Sequence, residues 1–131
     1  MPAAVRRRFS ADVLATVDRG RILRIRAGSE PHRLIGIWAL VVERRVFVRS
    51  WSLKPRSWYR TFLVEPRGAI QIDGRLIPVR AVRTRSERLK SAIDRAYLAK
   101  YGGPNSIRYA RDLGRKKSRD TTTELVPLEP E

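Results

Sequence analysis

"LIGIWALVVERRVFVRSWS", residues 34–52, decides how the rest of the chain is read. Residues 34–42 are apolar at both odd and even positions, as in a strand covered on both faces. "ERR" (43–45) makes a tight polar reversal, and "VFVRSWS" (46–52) returns rich in β-branched and aromatic residues. The stretch predicts a hairpin. A second hairpin is signalled in "GAIQIDGRLIPVRAVRT" (68–84), where Asp73-Gly74 suits a turn whose two central residues want positive φ. Pro78 has no N–H to donate, which places the returning strand at an edge or a bulge.

The neighbouring segments fit around these hairpins. "RILRIRA" (21–27) alternates Leu23 and Ile25 against Arg24 and Arg26, and "TTTELVPL" (121–128) reads as a last strand. "FSADVLATVDRG" (9–20) predicts a helix capped by Ser10 or Asp12 and ended by Gly20. "SWYRTFLVEP" (57–66) predicts another, with Ser57 as its cap and Pro66 as its stop. The best helix is "SERLKSAIDRAYLAKYGG" (86–103), with Leu89, Ile93, Ala96, Tyr97 and Tyr101 on one stripe, and "NSIRYARDLG" adds a further turn or two. Antiparallel strands with short helices and no βαβ rhythm predict a small closed or half-closed barrel of five or six strands. Its expected extent is residues 9–128, between a basic tail (1–8) and a short C-terminal tail (129–131).

With 131 residues, 42% of them apolar, the chain can build one domain around a real core. The absence of cysteine excludes disulfides, thiolate metal sites and a thiol nucleophile, and the lone His32 gives no ligand set for a metal. Nucleophile-elbow, P-loop, HExxH and dinucleotide fingerprints are absent too. "MPAAVRRRF" lacks the apolar core of a signal peptide, and the longest apolar run falls well short of the ~20 residues that span a bilayer. The expectation is a soluble cytoplasmic protein. A net charge of +16 points to anionic partners. Arg6, Arg7 and Arg8, with Lys116 and Lys117 in "RKKSR" (115–119), are the contacts to expect if that partner is a nucleic acid.

"SWSLKPRSWYR" (50–60) divides into a strand end, a cationic loop stiffened by Pro55, and a helix opened by Ser57. A helix start offers unpaired amides, and arginine's planar fork matches phosphate oxygens. Arg49, Lys54, Arg56 and Ser57 are therefore candidates for holding one compact anion. Trp58 and Tyr59 read chiefly as packing groups, as does Trp38 within the apolar run. Trp51, followed by a polar turn, is the candidate exposed aromatic.

The motifs "FVRSW" (47–51), "SWYR" (57–60) and "YLAKYGG" (97–103), in this order, resemble a family of small uncharacterised bacterial domains. That family is grouped with the FMN-binding split barrels related to pyridoxamine phosphate oxidase. The "WYR…P" segment is also similar to deazaflavin-dependent nitroreductases. The resemblance runs from about Leu14 to Pro127 and implies a six-stranded antiparallel split β-barrel and a homodimer. It further implies FMN or a deazaflavin as cofactor, with Arg49, Ser50, Lys54, Arg56 and Ser57 on the phosphate. Trp38 or Trp51 would lie near the ring, and Trp58 and Arg60 complete the set. The oxidase's substrate-binding arginine and histidine pattern is absent, so oxidation of pyridoxamine phosphate is not implied. The implied activity is that of a small oxidoreductase or cofactor carrier. The alternatives are a basic nucleic-acid-binding module and a cofactor-free interaction domain on the same fold.

Overall fold

The structure, a computed structural model describing residues 8–29 and 32–128, divides the apolar run 34–42 into two strands. β2 (Ile35–Ile37) and β3 (Ala39–Val42) are separated only by Trp38. The other strands are β1 (Leu23–Ala27), β4 (Arg45–Val48), β5 (Arg67–Ile72), β6 (Arg75–Arg83) and β7 (Thr123–Pro127). The helices are α1 (Ala11–Arg19), α2 (Trp58–Val64), α3 (Glu87–Lys100), α4 (Ile107–Leu113) and α5 (Lys116–Arg119). The class is as expected, but the six strands become seven because one of them breaks at Trp38.

That break closes the fold. The strands form one antiparallel sheet in the order β2-β1-β5-β6-β7-β4-β3, so β2 and β3 stand at opposite edges. A single residue joins those edges. The ribbon therefore curls into a nearly closed barrel, which removes most of the exposed edge a flat sheet would leave. Carbonyls near the break find partners on α3. The Tyr97 hydroxyl donates to the Trp38 carbonyl at 3.3 Å, and Lys100 Nζ donates to the Ala39 carbonyl at 2.9 Å.

Local chemistry explains the remaining elements. The hydroxyls of Ser10, Ser57 and Ser86 accept from the amides of Val13, Arg60 and Leu89, capping α1, α2 and α3. Asp73 and Gly74 carry φ of 49° and 81°, as a two-residue hairpin turn requires. Glu43 and Arg44 do the same at 53° and 61° without a glycine. Gly68 is needed for a different reason, since a Cβ there would sit 2.1 Å from the Arg26 carbonyl on β1. β4 ends at Val48, short of the expected 52, and frees Arg49 and Ser50 from the ladder. Pro78 departs from the edge expectation: β6 is an interior strand between β5 and β7, where Pro78 lies opposite Ala69 and its carbonyl accepts from Leu128 N at 3.0 Å.

Alternation along β4 sorts the core. Val46 and Val48 point into the barrel with Ile25, Ile70, Val79 and Leu125, under α1 and α2. Phe47 points outward, where α3 and α4 cover it with Leu89, Ile93, Tyr97, Tyr101 and Leu113. Burying these side chains is what holds the helices on the sheet. Among the described residues no helix is long and apolar enough to cross a membrane.

Candidate functional site

Where the chain leaves β4 it forms a cleft of about 380 Å³, lined by Ile35, Ser50, Trp51, Ser52, Lys54, Arg56, Ser57 and Trp58. The loop is shaped from within. Ser50 N donates to Thr121 Oγ1 at 2.8 Å, and the Ser50 hydroxyl donates to the Ser52 carbonyl at 2.7 Å. Ser57 N donates to the Lys54 carbonyl at 2.9 Å, closing a turn over Pro55. Trp58 is buried and meets Phe62 edge to face at 6.0 Å, so α2 provides a firm wall. Lys54 and Arg56 are exposed, and among the described residues neither side chain has a hydrogen bond or ion pair.

Six of the nine expected site residues thus line one cleft: Ser50, Trp51, Lys54, Arg56, Ser57 and Trp58. Arg60 is exposed on α2 and Trp38 lies in a neighbouring hollow; neither lines this cleft. Arg49 requires a correction. It leaves β4 on the face away from Val46 and Val48, and that face lies under α3. Its side chain is fully enclosed: Nε donates to Thr122 Oγ1, Nη1 to Asp94 Oδ1 and the Leu113 carbonyl, and Nη2 to the Lys90 carbonyl. Burial lowers its pKa, and the bond to Asp94 opposes that shift. Arg49 ties β4 to α3 and α4, and has no exposed surface to offer a phosphate.

The second hollow, of about 450 Å³, is lined by Trp38, Trp51, Tyr109 and Asp112. Trp51 borders both spaces. Behind this hollow Trp38 stacks on Tyr101, with centroids 3.9 Å apart and planes 4° from parallel. The Tyr101 hydroxyl donates to the Arg21 carbonyl at 2.8 Å, and burial pushes its pKa up to about 12. Tyr97 is raised as well, again chiefly by burial. Lys100, held between the Val17 and Ala39 carbonyls, is lowered by burial.

The sequence from residue 12 to 125, α1 through β7 with both hollows, matches the family described as "Uncharacterized protein conserved in bacteria (DUF2255)". The chain belongs to this family. No curated protein matches it. A structure titled F420-H2 dependent reductase superposes with a TM-score of 0.59 at 16% identity, over 83% of this chain and 95% of that one. A conserved hypothetical protein of Mycobacterium tuberculosis gives 0.58 at 10% identity, over 100% of this chain and 86% of that one. A FAD-binding protein of Mesorhizobium loti gives 0.51 at 14% identity, over 94% and 91%. At such identities the likeness establishes the fold.

In this family member the basic run 115–119 is part of the folded domain. Residues 116–119 form α5; Arg119 donates to Glu87 and Asp94, and Lys116 to Asp120. Lys117 and Arg8 are exposed, while Arg6 and Arg7 lie outside the described residues. Tyr109 and Asp112 were not singled out from sequence. They lie three apart on α4, hence on one side of it, and an aromatic–acid pair at that spacing was the available signal.

Proposed function

We propose that the protein binds a phosphate-bearing, flavin-type cofactor, FMN or a deazaflavin, in the cleft bordered by residues 50–58, and works as a small oxidoreductase or cofactor carrier. One observation carries this reading: two uncommitted cations, Lys54 and Arg56, share a cleft with the indoles of Trp51 and Trp58. The donor set suits such a group. Lys54 and Arg56 hold the phosphate by charge-assisted hydrogen bonds, and the Ser57 hydroxyl, an acceptor for Arg60 N, still has its proton to donate. Ile35 and Trp51 supply apolar surface for the ring. A bound cofactor of this type supplies the electron transfer, and the chain positions it and shields part of it from water. The solved proteins of the same fold whose titles name F420 or FAD support the assignment by analogy.

The test is an absorbance scan of the purified protein with FMN and deazaflavin titrations followed by thermal shift. Wild type gains thermal stability with one of them, and the Lys54→Ala/Arg56→Ala double variant loses that gain. A wild-type protein indifferent to both cofactors overturns the proposal. Light scattering on the same preparation tests the homodimer.

A further inference from the structure

We propose that the second hollow recognises an organic ammonium, an alkylated or quaternary amine, seated in the corner made by Trp38, Trp51 and Tyr109 with Asp112 at its edge. Trp51 stands 70° from the plane of Trp38 with centroids 5.2 Å apart, and 83° from that of Tyr109 at 6.4 Å. Both pairs are edge-to-face contacts, so the space for a ligand is that of the hollow beside them, into which the rings present what their neighbours leave uncovered. Aromatic faces attract cations through their quadrupole, and a permethylated ammonium adds apolar surface that suits the same walls.

The corner is preorganised on one side. Trp38 is backed by its stack on Tyr101, and its carbonyl accepts from the Tyr97 hydroxyl. A wall held this way loses little freedom when a ligand arrives. Asp112 is the one carboxylate in the lining, and it lies one turn along α4 from Tyr109. Its nearest competitor is Arg115, whose Nε lies 3.6 Å away on a side chain that is 79% exposed. Such a pair is weak enough to yield to a ligand. The exposed Arg108 guanidinium lies over one face of the Tyr109 ring at 5.0 Å and donates to its hydroxyl at 3.1 Å, so a ligand meets the ring on its other face or displaces this arginine.

Net charge opposes the idea at long range, because a chain of +16 repels cations. Beyond a Debye length of ~8 Å that repulsion is screened at physiological salt, so the near charges decide: Asp112 in the lining against the exposed Arg108 and Arg115 at its rim. The two hollows then differ in kind: one presents cations, and the other presents ring faces and a carboxylate. The inference stands on the second hollow alone. If a cofactor occupies the first, Trp51 is the wall common to both and the ammonium compound lies beside it.

The experiment uses the full chain without cofactor, with choline as probe and 3,3-dimethylbutan-1-ol as its uncharged isostere. Calorimetry gives the affinities, and indole N–H resonances report the place. Choline is expected to bind saturably, at least about tenfold more tightly than the isostere, and to shift Trp38 and Trp51 but not Trp58. Tyr109→Leu and Asp112→Asn are each expected to weaken choline about fivefold or more. Equal binding of the isostere overturns the proposal, as do unmoved Trp38 and Trp51 resonances or full choline affinity in both variants. FMN titration of the same wild-type protein is read separately. It depends on Lys54 and Arg56, so its failure would leave the choline result standing.

Discussion

Arg49 and Arg56 belong to one basic stretch, yet their surroundings are opposite. Arg49 lies under α3 and donates to Thr122, Asp94, Leu113 and Lys90. Arg56 stands open on a cleft with no bonded partner among the described residues. Residue type does not separate the two; cover does. Where a helix lays carbonyls and a carboxylate over a guanidinium, the charge becomes a tie between elements. Where nothing covers it, the charge remains available to a ligand.

The largest expected effect tests the covered side. Arg49→Ala leaves the Asp94 contact and two enclosed carbonyl contacts without their donor, and should cost about 3 kcal/mol or more in urea unfolding. A loss below about 1 kcal/mol would mean the network is no tie. A second effect on that side is set by pH. Tyr97 and Tyr101 hold their protons higher in the folded state than the roughly pH 10 of an unfolded tyrosine. Their contribution is therefore fully present below about pH 10 and is lost as pH rises through the value of about 12 for Tyr101. Lys100, lowered by burial, works in the opposite sense and adds stability as pH approaches its unfolded value. Urea midpoints across that range should fall less steeply for Tyr101→Phe than for wild type.

The open side should respond in the reverse manner. Lys54→Ala and Arg56→Ala each change stability by no more than about 0.5 kcal/mol. Each weakens FMN or deazaflavin binding at least about tenfold by titration. A stability loss as large as that of Arg49→Ala would erase the distinction between the regions. The smallest effect serves as a control from neither. Arg44, at φ 61° in the β3–β4 turn, should gain about 1 kcal/mol of stability as Arg44→Gly, because glycine adopts that conformation without steric cost.

Legibility followed the range of the forces. The Ser10, Ser57 and Ser86 caps, the Asp73-Gly74 turn and the α3 stripe were readable because each depends on residues within a turn or two. Arg49 was readable on the returning strand for the same reason. Its burial was not, since Asp94, Leu113 and Thr122 are distant in sequence. The division of 34–42 was hidden too, because an apolar run reads alike whether it pairs with one neighbour or changes neighbours midway. Of the cleft, the loop 50–58 was legible from its charge and its cap. Ile35 was not, since it arrives from β2, a separate strand.

The sequence by itself determined the turns, the caps, the strand alternation and a loop rich in cations and indoles, all of them consequences of local backbone and side-chain preference. Tertiary structure alone decided that the sheet closes at Trp38, that α3 covers Arg49 while leaving Lys54 and Arg56 open, and that two unlike hollows meet at Trp51. The reason is physical. Which faces meet depends on how distant apolar surfaces bury one another, and one-dimensional periodicity carries a face's character without its partner.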